Sequence, residues 1–588
     1  MRRMKRTPLA SLALLSLTLV LGLTYSPARS AAQLPQRATT AMVVTAHPLA
    51  SRIGINVIRM GGNAVDAAVA VGFALAVVLP WAGNIGGGGF MVYMGNNGDV
   101  TTFDFREKAP MRATARMFLD EGGGGIKANS NHEGGGSVGV PGTVAGLLAI
   151  HDKFGTLPLK TLMQPAIDLA EKGFPVTYAL WDYLIRFEEK LKRDPAAAAV
   201  FFKEDGGAYV PGDIWKQPEL AKTLTLIKRR GRAGFYKGRT AKLLVNAARK
   251  HGGIITLDDL LRYEPIERRP VQGSYRGYDI YSVPPPSSGG VTLIEMLNIL
   301  EGYDLKRMGH NSALYMHLLT ESMRHAYKDR AMFLGDPGFN HASPIGMLTS
   351  KEYARTIREG INPEAAGVSA TSDVIQKYES GETTHFSIVD ALGNAISLTY
   401  TLDYPFGSGI VVKGAGFLLN NEMGDFNPVP GVTTKAGQIG TAANLVAPGK
   451  RMLSSMTPTI VAKDGKPVIV LGSPGGRTII NTVLQVILNV IDNGMNIEQA
   501  VEAGRIHHQW LPDVTVIEKW ATTSDSLRIY ESLGHRVRIR EGGAQGSVMA
   551  VHINRSAGVI EGSADRRRPE ASAIGWSKRS KGDRGRNE

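Results

Sequence analysis

A threonine hydroxyl attacks a carbonyl only when a base removes its proton. Thr383, in the run Glu382-Thr383-Thr384-His385, stands where the chain itself could supply that base. Scission of the Glu382–Thr383 peptide bond would free the α-amino group of Thr383, the nearest possible acceptor for the proton of its own hydroxyl. The chemistry open to such a residue is acyl transfer from an amide, through an ester on the threonine oxygen.

Two strands are needed to hold it. Thr384, Phe386 and Ile388 alternate with Thr383, His385 and Ser387, and Ile396, Leu398 and Tyr400 alternate with Ser397, Thr399 and Thr401. Alternation with period two predicts half-buried strands. Between them, Asp390-Ala391-Leu392-Gly393-Asn394 fits a three-residue hairpin loop with Gly393 at the left-handed position. If Asp390 pairs with Asn394, Thr383 falls opposite Thr401 and a second hydroxyl comes within reach of the first. An ordinary hairpin with threonines on its wet face is the commoner source of this pattern, and residue types alone do not separate the two.

Other candidates read less sharply from residue types. Gly472-Ser473-Pro474-Gly475-Gly476-Arg477-Thr478 is too short for a phosphate loop and has arginine where lysine is required; a tight turn after the strand-like run Val468–Leu471 accounts for it. His507-His508 invites a metal, but adjacent residues point apart and no third ligand follows at helical spacing, so structural histidines and no catalytic metal are expected. Asp403, Glu422 and Asp425 each follow or end an apolar run, where surface acids are ordinary.

Taken together, Thr383–Ile388, Gly393-Asn394, Thr399-Tyr400-Thr401-Leu402-Asp403 and Phe406-Gly407 resemble the signature of the γ-glutamyltranspeptidases. The blocks Gly62–Ala68, Gly83–Gly89, Asp104-Phe105-Arg106-Glu107 and Pro284–Gly290 resemble the family's large subunit. Leu419–Met423, Leu453-Ser454-Ser455-Met456 and Gly472–Gly476 resemble its small subunit, so the likeness spans residues 40–565 in family order. It implies an α/β fold, a four-layer αββα N-terminal-nucleophile hydrolase sandwich. Cleavage between Glu382 and Thr383 would yield a large subunit, 33–382, and a small subunit, 383–588, that stay together as a heterodimer. The implied activity is that of a γ-glutamyltransferase and glutathione hydrolase of bacterial, exported type. The γ-glutamyl group of glutathione or a related compound would pass through Thr383 to water or to an amino acid or dipeptide acceptor, without a cofactor.

The resemblance also implies roles. Thr401 would orient the nucleophile, and the N–H groups of Gly475 and Gly476 would face the developing oxyanion, where one such donor contributes on the order of 3–4 kcal/mol. Asp403, Glu422 and Asp425 would hold the substrate α-ammonium. Arg106, Ser454 and Ser455 would hold its α-carboxylate, a task that suits the forked guanidinium. Asp403 departs from the pattern, because many relatives carry asparagine there and others glutamate. The segment 427–452, rich in proline and glycine, matches the family's lid, yet it has no aromatic residue between Phe426 and Arg451. Some family members place an aromatic gate near Lys435-Ala436-Gly437. Two rival readings are a cephalosporin (glutaryl) acylase on the same scaffold, which needs no ammonium pocket, and a catalytically inactive secreted binding protein, which would be expected to lose Thr383, Thr401 or the glycine pair.

Composition bounds the rest. In 588 residues there is no cysteine, which excludes thiol nucleophiles, thiolate metal sites, disulfides and a lipoprotein anchor. Arg2, Arg3, Lys5 and Arg6, the apolar run Leu9–Leu23 and Ala28-Arg29-Ser30-Ala31 predict a cleaved export signal over 1–32, and hence a periplasmic or secreted protein with no stable membrane anchor. Its removal lowers the net charge from +14 to about +9. The tail 565–588, with Arg566-Arg567-Arg568 and a cluster from Lys578 to Arg586, is expected to be disordered and solvated rather than a nucleic-acid arm. Ser51–Met60, Asn63–Leu79, 158–172, 290–303 and Glu321–Arg330 read as helices, the second apolar on nearly every face, as a buried helix is. Gly122–Gly136 reads as a mobile surface loop and 366–382 as an exposed linker to the cut site.

Overall fold

The computed structural model describes residues 33–370, 383–542 and 545–578. The expected export signal, Glu382 with most of its linker, and the last ten residues of the basic tail lie outside them.

Two seven-stranded sheets form the centre. The first runs in the order Ser572–Trp576, Ala41–Thr45, Thr383–Val389, Ala395–Thr401, Gly88–Met94, Val100–Phe105, Ile266–Arg268. The second runs Gln36–Ala38, Val559–Ala564, Met549–Asn554, Lys466–Gly472, Thr459–Lys463, Tyr278–Ser282, Val271–Tyr275. Both mix strands from before and after Thr383, so cutting there would leave two chains sharing every layer. Helices Pro48–Arg59 and Ala64–Val78 cover the outer face of the first sheet, and Gly289–Leu300 and Thr478–Ile491 that of the second. Helix, sheet, sheet, helix is the four-layer order expected.

The helix Ala64–Val78 is buried along its whole length. Its one charge is fully occupied. Asp66 accepts from Asn63 N at 2.9 Å in a capping box, from Thr156 N at 2.9 Å and from Leu157 N at 3.2 Å. The helix lies against the nucleophile hairpin, and the Tyr400 hydroxyl donates to Gly72 O at 2.9 Å.

That packing corrects one expectation. The hairpin strands are buried on both faces, not half-buried. Their outer face meets the helix and their inner face meets the second sheet, where polar groups are satisfied across the gap: Ser387 Oγ donates to Met549 O at 2.9 Å and Ser397 Oγ to Leu471 O at 2.7 Å.

The tail is a second correction. Asp565 is fully buried and pairs with Arg505 at 2.6 Å, Arg566 with Glu498 at 3.1 Å, and Arg567 with Glu518 at 2.7 Å. Ser572–Trp576 then adds an edge strand to the first sheet. Counting basic residues could not reveal that acids elsewhere in the chain receive them. Gly122–Gly136 is the expected surface loop, but it also buries Asn131 and borders a cavity with His132.

Candidate active site

The hairpin forms with the expected register. Asp390 N donates to Asn394 O at 3.1 Å, Gly393 takes φ +89°, and Thr383 pairs with Thr401. Both threonines are buried, and Thr383 Oγ1 donates to Thr401 Oγ1 at 3.2 Å. Thr401 Oγ1 also accepts from the amide of Asp403 at 2.8 Å. The neighbouring strand begins at Gly88, and a Cβ at Gly87 would stand 1.8 Å from Thr401 O, so only glycine lets that backbone pass so near.

A cavity of about 520 Å³ opens over the two threonines. All the predicted site residues that the structure describes border it except Gly475, which lies one residue outside its wall. Gly475 and Gly476 hold positive φ of 133° and 55° between Gly472 and the helix Thr478–Ile491. Their carbonyls accept from Thr478 N and Ile479 N, while their own N–H groups have no partner among the described residues. Gly476 borders the cavity.

Arg106 and the three acids form one cluster rather than two separate ends. The guanidinium is buried and pairs with Glu422 at 2.5 Å, with Asp425 more closely still, and with Glu107 at 3.5 Å. Burial, together with the crowd of like charges, drives the Glu422 carboxyl well above the usual carboxylate range although Arg106 opposes it. Burial pushes Glu107 up to about 8 and, with Asp425 adding to it, Asp403 up to about 6. Four carboxyl groups thus surround one guanidinium, and Glu422 Oε1 has no hydrogen-bond donor among the described residues. A second cation entering the cavity would find acceptors waiting.

In the same cavity lining, Ser455 Oγ accepts from Arg330 Nη2 at 2.9 Å, and Ser454 Oγ accepts from Met456 N at 3.0 Å. The backbone of Ser454 is stitched to the Pro284–Gly290 block through Pro286 O at 2.9 Å and the Ser288 hydroxyl at 2.7 Å. Arg330, from the helix Ala313–Phe333, and His132 border the cavity too. Sequence reading missed both: the first was recognised only as helical, and the second sat in a segment taken for a surface loop. The segment 427–452 contributes Ala436 to Ile439 to the cavity rim without an aromatic side chain.

Elsewhere, a larger cavity of about 1370 Å³ is bordered by Lys192, Asp194 and Tyr209 but by none of the candidate site residues. His507 and His508 point to different partners, Asn481 and Asp513, as structural histidines do. His317, Glu321 and His535 cluster, yet the two rings hydrogen-bond each other at 2.7 Å and Arg324 Nε already contacts both oxygens of Glu321 at 3.2 Å.

Known proteins resemble the chain over most of its length. The family model described as Gamma-glutamyltranspeptidase matches residues 50–575. A glutathione hydrolase proenzyme of Pseudomonas sp. (strain A14) is 49% identical over 508 residues, covering 86% of this chain and 88% of the relative. That of Escherichia coli (strain K12) is 45% identical, covering 92% and 93%. Among solved structures, a cephalosporin acylase from Bacillus halodurans superimposes with a TM-score of 0.82 at 27% identity, covering 95% of this chain and 99% of that one.

Proposed function

The chain belongs to the γ-glutamyltranspeptidase family, and from that premise we propose which residues carry its reaction. It is an enzyme, a γ-glutamyltransferase and glutathione hydrolase made as a proenzyme that matures into two subunits. Thr383 is its nucleophile. The observation that carries this assignment is the meeting of the Thr383 and Thr401 hydroxyls beneath a cavity that also holds Arg106 and its ring of acids.

Maturation begins when Thr383 Oγ1 adds to the carbonyl carbon of Glu382. The Glu382–Thr383 C–N bond breaks, the nitrogen takes a proton and an ester remains on Thr383. Water hydrolyses the ester, leaving 33–382 as the large subunit and 383–588 as the small one. The freed α-amine then removes the hydroxyl proton in each turnover. Thr383 attacks the γ-amide of the donor, the tetrahedral oxygen takes hydrogen bonds from Gly475 and Gly476, and cysteinylglycine departs from glutathione with that proton. Water or an acceptor amine takes the γ-glutamyl group from the ester.

Donor recognition follows from the cavity's charges. The α-ammonium sits among Asp403, Glu422 and Asp425. The α-carboxylate meets Arg106, Ser454 and Ser455, with Arg330 holding the Ser455 hydroxyl. A glutaryl amide lacks the ammonium and would leave the acids without it, which weighs against the acylase reading despite the shared fold. Export after removal of 1–32 completes the proposal; among the described residues no helix is long and apolar enough to cross a membrane.

The test has two parts. Intact-mass measurement of purified protein should find a small subunit starting at Thr383. Turnover of a γ-glutamyl anilide should exceed that of the matching glutaryl anilide. A single uncut chain with full activity would overturn the assignment of Thr383.

A further inference from the structure

We infer that His132 is a specificity-determining positioning residue of the donor cavity: it fixes the Asp403 carboxylate against the wall so that the cavity grips the α-ammonium of a γ-glutamyl donor. The inference rests on the reading that this cavity takes that ammonium.

Three elements locate the imidazole. It stacks on Tyr404 with ring centres 4.5 Å apart and planes 15° apart. The His132 carbonyl accepts from Asn421 Nδ2 at 3.1 Å. A Cβ at Gly424 would lie 2.1 Å from the ring, so the short turn Glu422–Asp425 packs directly on it. So held, Nδ1 stands 3.5 Å from Asp403 Oδ2.

Asp403 needs such a partner. Its backbone takes φ +79°, a region that costs a non-glycine residue on the order of 1 kcal/mol or more. From there its amide holds the Thr401 hydroxyl, which in turn meets Thr383. The turn is propped from below by Lys190 Nζ, which donates to Pro405 O at 2.9 Å and Gly407 O at 2.5 Å. These contacts fix the backbone; the carboxylate has the His132 imidazole beside it at 3.5 Å.

The charges facing Asp403 explain why the imidazole matters. Asp425, Glu422 and Glu107 repel a negative charge there, while Arg106, Lys190 and His132 favour it. Arg106 is held by Glu422 and Asp425, and the Lys190 ammonium is bonded to carbonyls. His132 Nδ1 is the group that stands within ion-pair distance of Asp403. Burial already lifts the Asp403 carboxyl to about 6 with His132 beside it. Taking the imidazole away raises it further, so a larger share of Asp403 becomes neutral in mildly acidic solution and stops attracting an ammonium.

The test compares the mature wild-type enzyme with His132→Phe, which keeps an aromatic surface on Tyr404, and His132→Gln, which keeps a hydrogen-bond donor without charge. Each is assayed from acid to alkaline pH with a γ-glutamyl anilide and a glutaryl anilide. His132→Phe should raise KM for the γ-glutamyl donor roughly tenfold near pH 6, and by less as pH rises, because Asp403 is then ionised with or without the imidazole. The acid limb of kcat/KM should move to higher pH, kcat should change less than KM, and His132→Gln should fall between. In an Asp403→Asn background His132→Phe should have no further effect. An unmoved acid limb in both variants, with the wild type still preferring the γ-glutamyl donor, overturns the role of His132 alone. A wild type with no preference for the γ-glutamyl donor overturns the ammonium reading, and this inference falls with it.

Discussion

Thr383 and Thr401 face each other at the open end of the hairpin ladder, their hydroxyls 3.2 Å apart and both buried. In this position the second hydroxyl can accept from the first, and its other bond, to the Asp403 amide at 2.8 Å, keeps it from turning away. A nucleophile and its orienting partner are therefore set by strand register, which is among the stiffest constraints a fold offers.

Thr383→Ala should yield an uncut chain with activity at background, because one oxygen serves both maturation and turnover. Thr383→Ser, which keeps the hydroxyl, should still mature, though more slowly. Mass spectrometry of the purified variants decides it; a Thr383→Ala protein cut at 382/383 would show that another group performs the cleavage.

Thr401→Val keeps the shape of the side chain but removes one acceptor from Thr383 and another from Asp403. At about 0.5–1.5 kcal/mol per hydrogen bond, maturation and kcat should fall by roughly tenfold while the fold persists. Stopped time courses of processing and steady-state kinetics measure both. Unchanged rates would reduce Thr401 to a strand residue.

How much of this was legible beforehand follows from the kind of interaction. The hairpin, its register and the Gly393 turn were readable because period-two alternation and loop length are local signals. Helix Ala64–Val78 was readable because its apolar run has no wet face. Burial of both hairpin faces was not, since it depends on a sheet assembled from strands far apart in sequence. For the same reason the tail looked free: the partners of Arg566 and Arg567, Glu498 and Glu518, are distant in the chain. The site residues Asp403, Glu422 and Arg106 were legible through resemblance alone, and Arg330 and His132 not at all, because neither belongs to a local pattern.

Stability should carry a pH signature from Glu295. This carboxyl on Gly289–Leu300 is buried beside Asp329, which accepts from the Tyr353 hydroxyl at 2.6 Å. Burial first, and Asp329 second, raise it well above the usual value, so the folded state holds a proton that the unfolded chain releases. The resulting stabilisation is fully present below the unfolded value of about 4.3 and is lost as pH climbs toward the raised folded value. Glu295→Gln supplies a permanently neutral donor to Asp329. Its Tm should therefore decline less steeply than that of the wild type as pH rises above about 4.3. Parallel Tm curves would place the Glu295 proton outside the pH dependence.

The Arg106 cluster gives the last prediction. From sequence alone, Arg106→Ala is expected to raise KM for γ-glutamyl donors far more than it harms self-cleavage, because cleavage needs no free carboxylate. The structure adds a structural burden: the guanidinium is the counter-ion of buried Glu422 and Glu107 and of Asp425. Removing one partner of a buried ion pair typically costs about 3–5 kcal/mol, so Arg106→Ala should lower Tm as well as raise KM for γ-glutamyl donors. Acid should restore part of the stability: without Arg106, which lowers all three, the Glu422, Glu107 and Asp403 carboxyls lie higher still than in the wild type, and once protonated they no longer repel one another. Arg106→Lys keeps the charge but not the fork, so it should recover most of the Tm and only part of the KM. Thermal scans of the three proteins at neutral and acidic pH, beside KM for a γ-glutamyl anilide, separate the two roles. If Arg106→Ala keeps the wild-type Tm at neutral pH while KM rises, the acids are neutral without their counter-ion and the guanidinium serves the substrate alone.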